Sequence, residues 1–157
     1  MIDELITIET ASAAGLGEVL GILSQAELPH DGVEEYLDGF LVARNGGGQI
    51  IGCIGLERHG KLGLLRSAAV LPEFRGQRIG NQLVRELLIR AANNGITEVT
   101  LLTTTAKDYF ARKFGFQDAK RHRYEKQLAN SPEWNLPRCS SAVLMTLKLK
   151  PGADIFS

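Results

Sequence analysis

Residues 75–81 (RGQRIGN) bring positive charge, glycine and amide side chains together where an apolar run gives way to a helical pattern. The first backbone N–H groups of a helix have no intrahelical partner, and the helix dipole favours an anion beside them. The segment therefore predicts a phosphate-type anion site, although a plain strand–helix link with solvated arginines remains the alternative. It matches neither a Walker loop nor the dinucleotide GxGxxG pattern. The residues assigned to the site are Arg75, Gly76, Gln77, Arg78, Ile79, Gly80 and Asn81.

Arg66 is a second residue with unusual placement, because it interrupts the apolar segment LGLLRSAAV at 62–70. An unpaired guanidinium is costly to bury, so Arg66 must reach water, a carboxylate or a ligand. We expect it to bind a substrate carboxylate. An edge-facing position or a structural pair with Glu57 stays open as the alternative.

The elements that position these residues follow from hydrophobic periodicity. We predict strands at 4–10, 40–44, 49–58, 62–70, 98–104 and 142–149, with a hairpin across the glycine turn at 45–50. Helices are predicted at 13–26, around 33–37, at 78–93 and at 106–114. Residues 120–138 are predicted to form a loop with at most one helical turn. The fold class is α/β with a mixed sheet, in a single domain over residues 1–157.

Composition and hydropathy give no indication of nucleic acid or a membrane as partner. Lys plus Arg equals Asp plus Glu at 18 each, which gives no argument for nucleic acid. No apolar run approaches the roughly 20 residues of a membrane span. The acidic start MIDELITIET differs from a basic signal peptide, which places the chain in the cytoplasm.

Cysteine and histidine give no metal-ligand pattern, so no metal is expected. We interpret Cys53 and Cys139 as reduced structural thiols, with Cys53 in the core. His59 lies at a turn, where we expect it to be exposed rather than to assist as a base.

The segment AAVLPEFRGQRIG resembles the acetyl-CoA motif of the GNAT acetyltransferase superfamily, which is Gln or Arg, two residues, Gly, any residue, then Gly or Ala. Arg75 and Gly80 match its first and last positions, and Arg78 replaces its inner glycine. The resemblance implies a mostly antiparallel, splayed sheet flanked by helices, with coenzyme A as the source of the anion.

The resemblance also implies further coenzyme contacts. The backbone of Ala68, Ala69 and Val70 would pair with the pantetheine arm along the splayed strand. LLTTTAKDYFARKFGF at 101–116 resembles the second half of the fold, and implies contacts from Thr104, Tyr109 and Phe110.

Longer segments resemble particular branches of the superfamily. LTT followed by FARKFGF is similar to the N-acetylglutamate synthase branch. IGCIGLERHG, LLRSAAVLPEFRG, LLTTTAKDYF and CSSAVLM are similar to the ArsN-type acetyltransferases associated with arsenic-resistance genes. Relatives in these branches acetylate amino acids or their analogues, which implies an amino-acid-like acceptor.

Bases of the superfamily often come from the end of the strand predicted at 49–58, so the resemblance makes Glu57 the candidate general base, acting alone or through water. An ordinary strand-end carboxylate that faces solvent is the alternative. Arg138 and Ser141, near the last strand, are candidate acceptor contacts. The position that holds the general-acid tyrosine in the family is Ala111, and Tyr109 lies about 200° away on the helix. The thiolate therefore leaves without a protein acid, or Tyr124 or water protonates it.

The leading hypothesis is direct acetyl transfer from acetyl-CoA to the amine of a small, amino-acid-like acceptor. The alternatives are a polyamine, antibiotic or protein amine as acceptor, or a non-catalytic coenzyme A-binding module. The last strand and the Trp134 loop could also supply the contact of a homodimer.

Overall fold

The computed structural model describes residues 5–137 and 140–150. Among these residues the strands are β1 (Thr7–Thr10), β2 (Phe40–Arg44), β3 (Ile50–His59), β4 (Leu62–Val70), β5 (Glu98–Thr103), β6 (Gln117–Asp118) and β7 (Val143–Lys148). The α-helices are α1 (Leu16–Gln25), α2 (Ile79–Asn93) and α3 (Lys107–Phe114).

The strands form a mixed sheet in the order β1-β2-β3-β4-β5-β7-β6. The pairings β1–β2, β2–β3, β5–β7 and β7–β6 are antiparallel, whereas β4 and β5 are parallel. The α/β class and the mostly antiparallel sheet are therefore confirmed. The chain divides into two compact units, Met1–Leu56 with Ser67–Leu87 and Glu57–Arg66 with Leu88–Ser157.

The first unit is built on the β1–β2–β3 antiparallel sheet. Phe40 on β2 lies opposite Gly55 on β3, and its fully buried ring occupies the space that a side chain at Gly55 would need. A Cβ placed at Gly55 would overlap the ring. A glycine is therefore required at this point of close packing.

The second unit packs the start of β4 against the polypeptide that precedes β7. Leu62 and Leu64 alternate along β4 and so share one face of the sheet. They form a buried cluster with Tyr124, Leu128 and Leu144. The connection at 120–137 therefore covers the sheet face on which Leu62 and Leu64 lie.

Most element predictions are confirmed, since β2, β4 and the helices α2 and α3 agree with them to within one residue. The predicted short helix around 33–37 is wrong. Residues 31–36 form turns, and only Leu37–Gly39 closes a 3₁₀ helix. Gly32 and Gly39 flank this polar stretch, and its apolar residues are too few to stabilise a helix by packing.

Candidate functional site

The predicted anion-binding turn lies between β4 and α2. A 3₁₀ turn at Pro72–Phe74 follows β4, and α2 begins at Ile79. Arg75 folds back and donates from Nε to the carbonyl of Val70 at 3.2 Å, which fixes the start of the turn against the end of its strand. Residues 75–78 are exposed, so the turn faces solvent.

Two residues of this turn have left-handed backbone conformations. Gly76 has φ +85° and Arg78 has φ +63°. Arg78 occupies the position where the family pattern has its inner glycine, so the structure explains why glycine suits that position. An L-residue there costs about 1 kcal/mol relative to glycine. The chain retains an arginine at this cost.

The start of α2 has the features that an anion requires. The first intrahelical bond runs from Gln82 N–H to the Arg78 carbonyl, at 3.1 Å, so the N–H groups of Ile79 and Gly80 precede it. The first turn of α2 contains no acidic residue. No atom outside the local backbone lies within 4 Å of a Cβ built at Gly76 or Gly80, which leaves open space for a phosphate to approach the chain. These features fit the phosphate-type anion predicted for this turn.

The strand that leads to the turn pairs with β5 over only part of its length. The β4–β5 register runs from Leu62–Glu98 to Leu65–Leu101, while β4 continues to Val70. Ser67, two residues beyond the last pair, has φ +60° although it lies within a strand. Such a backbone is strained for a non-glycine residue, and strain of this kind clusters at functional sites.

Neighbouring contacts stabilise this strained segment. The Cys53 thiol donates to the carbonyl of Ser67 at 3.4 Å. Cys53 is fully buried, which confirms its predicted core position, and burial raises the pKa of its thiol to about 12.

Of the residues predicted to pair with the pantetheine arm, Ala68 is exposed, Ala69 is buried and Val70 is half-buried.

The remaining predicted coenzyme contacts lie in the second unit, in and before α3. Thr104 is exposed, directly after β5. Tyr109 is half-buried and Phe110 is buried, with their ring centroids 5.1 Å apart in an edge-to-face arrangement. Burial raises the pKa of the Tyr109 hydroxyl. Ala111 is exposed on the same helix, so the tyrosine position of the family has no hydroxyl here.

A buried polar cluster is centred on Glu57, at the far end of β3. The Glu57 side chain is 0% exposed. Its Oε2 accepts a hydrogen bond from Arg66 at 2.8 Å, and its Oε1 accepts one from the Ser131 hydroxyl at 2.5 Å. Nε2 of His59 lies 3.0 Å from the same Oε1. Both carboxylate oxygens are therefore held by protein groups.

The electrostatics of Glu57 follow from these contacts. Burial by itself would raise the pKa of the carboxyl, but hydrogen bonds from His59, Ser131 and Arg66 and the Arg66 charge together lower it below its ordinary value. Glu57 is thus ionised at neutral pH. The alternative prediction, in which the Glu57 carboxylate faces solvent, is wrong because the side chain is fully buried.

Arg66 is paired with two carboxylates. Besides Glu57, its guanidinium forms an ion pair with Glu133, with Nε 3.6 Å from Oε1. The Arg66 side chain is 0% exposed, and that of Glu133 is 9% exposed. The pair with Glu57 corresponds to the structural alternative named for Arg66, and it explains how an arginine lies within an apolar strand.

Three members of the cluster were not assigned to the site from the sequence. His59 was predicted to be exposed, which is wrong, because its side chain is only 9% exposed beside Glu57. Ser131 and Glu133 come from the connection before β7, 74 residues from Glu57 in the case of Ser131. Their only sequence signal is a polar stretch flanked by Pro132 and Pro137.

The other candidate residues lie elsewhere. Ser141 is exposed just before β7, and Arg138 lies outside the described residues, as does Cys139. Tyr124 donates to Oε2 of Glu98 at 2.6 Å, at the beginning of β5. Glu98 and Thr103 mark opposite ends of β5, about 17 Å apart at 3.3 Å per residue. Tyr124 is therefore far from Thr104, a predicted coenzyme contact in the same unit, and this distance argues against Tyr124 as the acid for the thiolate.

The described residues contain neither a membrane-spanning helix nor a cluster of metal ligands. None of their helices is long and apolar enough to cross a membrane. In the same part of the chain, no group of three or more His, Cys, Asp or Glu residues is arranged to hold a metal ion.

Comparison with known proteins connects this geometry to a family. Residues 37–118, just over half of the chain, match the acetyltransferase (GNAT) domain. An uncharacterized N-acetyltransferase of Chlorobaculum tepidum is 30% identical over 99 residues, which is 62% of this chain and 62% of that protein. The chain thus spans less than two thirds of that relative.

Solved structures share the fold at low sequence identity. N-acetylglutamate synthase from Neisseria gonorrhoeae, complexed with coenzyme A and L-arginine, has a TM-score of 0.75 at 20% identity over 94% of this chain and 34% of that one. A Mycobacterium tuberculosis protein solved with CoA has a TM-score of 0.75 at 20% identity, over 92% of this chain and 99% of its own. A GNAT-family acetyltransferase from Staphylococcus aureus has a TM-score of 0.70 at 21% identity, over 93% of this chain and 100% of its own.

Proposed function

Because the chain belongs to the GNAT acetyltransferase family, we propose that it is an N-acetyltransferase that uses acetyl-CoA. The observation that carries this proposal is the turn at 75–80, with two left-handed residues and an open helix N-terminus inside the matched region. We assign the pyrophosphate to the backbone N–H groups of this turn and to the side chains of Arg75, Gln77, Arg78 and Asn81.

The pantetheine arm would lie along the part of β4 that has left the β4–β5 ladder. Ala68 and Ala69 have small side chains, so a ligand chain can approach the backbone there. Ser67, just before them, has a left-handed backbone conformation within the strand. We assign a backbone N–H of this segment to the thioester oxygen, where negative charge develops during transfer. Thr104, Tyr109 and Phe110 remain proposed coenzyme contacts.

The reaction is direct transfer in a ternary complex. The acceptor ammonium first loses a proton, and its nitrogen then attacks the acetyl carbonyl carbon. A C–N bond forms, the C–S bond breaks, and the coenzyme leaves as a thiolate. The second nitrogen proton is lost to the base or to water. Because α3 has alanine at position 111, we propose that water rather than a tyrosine protonates the thiolate.

Glu57 is the proposed base for the acceptor amine, directly or through water. Because the pKa of Glu57 is lowered, its carboxyl group does not retain a proton at neutral pH. The proton must therefore pass to another group. His59 lies 3.0 Å away and two residues nearer the end of β3, and its side chain is 9% exposed. We therefore propose that the Glu57–His59 pair takes the proton and His59 releases it to solvent.

The proposed acceptor is a small, amino-acid-like amine. This choice depends on the segment likenesses to the N-acetylglutamate synthase and ArsN-type branches, and a role in arsenic resistance has no other support. Arg66, Arg138 and Ser141 are the proposed contacts for the acceptor carboxylate. A single GNAT domain, a cytoplasmic location and a homodimer are parts of the same proposal.

The test is release of coenzyme A thiol from acetyl-CoA in the presence of single amines. The panel contains free amino acids, arsonate- and phosphinate-bearing analogues, polyamines and short peptides. Turnover with an amino acid or analogue is the expected result. Turnover with polyamines or peptides alone would reject the acceptor class but keep the activity, whereas coenzyme binding without any turnover would favour a coenzyme-binding module.

A further inference from the structure

The arrangement of carboxylates around Arg66 bears on which acceptors the site takes. Glu57 and Glu133 flank the same guanidinium, at 2.8 Å and 3.6 Å. Two carboxylates and one guanidinium carry a net charge of −1 when the neighbouring imidazole is neutral. A guanidinium that is already paired with two carboxylates binds a third carboxylate more weakly than an unpaired guanidinium would.

The two carboxylates are held in different ways. Glu57 lies on β3, is fully buried and receives hydrogen bonds from both Arg66 and Ser131. Glu133 lies in the connection before β7, and its side chain retains 9% exposure. Removing Glu57 would take the nearer of the two carboxylates away from the buried Arg66 charge. Glu133, in contrast, lies outside the strands and retains a small exposed fraction, so its carboxylate can be changed without altering a strand.

The anchor of the connection lies next to Glu133 and does not depend on it. Ser131 donates to Glu57 and accepts a hydrogen bond from the backbone N–H of Trp134 at 3.0 Å. Asn135 donates from its side chain to the Ser131 carbonyl at 2.8 Å. These bonds fix residues 131–135 over Arg66, so a change at the Glu133 carboxylate need not displace the segment.

We propose that Glu133 is a specificity-determining residue that competes with an acceptor carboxylate for Arg66, an inference that rests on the proposed function. While Glu133 is paired with Arg66, an acceptor carboxylate at the same guanidinium would make the net charge of the cluster more negative, from −1 to −2. Like charges brought together in this way select against the wrong partner. Glu133 therefore weakens the proposed contact between Arg66 and an acceptor carboxylate, so carboxylate-bearing acceptors bind less tightly than they would without it.

The experiment compares an amino acid with its own carboxamide, which has the same amine but no carboxylate. In Glu133→Gln, KM for the amino acid should fall by about tenfold relative to KM for the amide, with kcat for both changed much less. Glu133→Asp keeps the charge and should show no such fall. Glu125→Gln, an exposed glutamate of the same connection, is the matched control.

Binding provides a readout that does not depend on turnover. Calorimetric titration of the N-acetylated amino acid and the N-acetylated amide, in the presence of coenzyme A, should show tighter binding of the carboxylate form to Glu133→Gln than to the wild type. An unchanged affinity ratio, or no binding of the carboxylate form by either protein, would overturn the inference. Failure of the proposed function is a different result, namely no thiol release with any acceptor.

Discussion

Glu57 and Arg66, nine residues apart on consecutive strands, form a fully buried ion pair with 2.8 Å between Oε2 and the guanidinium. Arg66 keeps the carboxylate ionised, and Glu57 allows the guanidinium to lie in an apolar strand. His59, Ser131 and Glu133 complete the cluster. The cluster therefore supports both the stability of the second unit and the acceptor chemistry proposed for it.

The first prediction concerns acid stability. The pKa of Glu57 is lower in the folded protein than its ordinary value of 4.5, so the unfolded chain binds the proton more readily. The stabilisation from ionised Glu57 is present above the unfolded pKa and is lost as pH falls through the lowered folded pKa. The free energy of unfolding in urea should therefore fall below about pH 4.5, and it should fall less steeply in Glu57→Gln. Equal slopes in the two proteins would show that Glu57 makes no such contribution.

A second prediction concerns Ser131. Ser131→Ala removes a donor to the buried Glu57 carboxylate and the acceptor for the Trp134 N–H. The free energy of unfolding should fall by about 1–3 kcal/mol, because the carboxylate loses one of its buried donors. Urea unfolding followed by Trp134 fluorescence measures the change. Ser140→Ala, at an exposed serine near β7, should have an effect close to zero, and an equal loss in both variants would contradict the assignment.

Most helices and strands of this chain follow from local pattern, whereas the contacts that Ser131 and Glu133 make in the cluster do not. Residues 62–70 and 79–93 show their periods in the sequence, so β4 and α2 could be predicted almost to the residue. The contact between Ser131 and Glu57 joins residues 74 apart through a connection without regular structure. Its geometry depends on tertiary packing, which no local pattern encodes. His59 was predicted wrongly for the same reason.

Arg78 gives a third prediction, which separates backbone strain from charge. Arg78→Gly and Arg78→Ala both remove the guanidinium, but only glycine adopts φ +63° without strain. Arg78→Ala should therefore be less stable than Arg78→Gly by about 1 kcal/mol. If Arg78 contacts a coenzyme phosphate, both variants should weaken coenzyme A binding by about tenfold. Calorimetry measures the affinity, and unchanged affinity in both variants would place the guanidinium outside the coenzyme site.

The fourth prediction concerns Cys53, whose thiol pKa is raised to about 12 by burial. The thiolate is the reactive form, so a Cys139→Ser protein should react with a disulfide reagent at about pH 8 only as it unfolds. Labelling should be slow in buffer and fast in urea. Fast labelling in buffer would contradict the buried position, and it would also interfere with thiol-release assays.

The most direct test of Glu57 as the base combines turnover and coenzyme binding in one variant, Glu57→Gln. We expect kcat to fall by about 100-fold and its pH dependence to change, while the Kd for coenzyme A stays within about twofold of the wild type. Retained coenzyme binding would also show that the variant is folded. Wild-type turnover with an unchanged pH profile would contradict the proposal that Glu57 serves as the base.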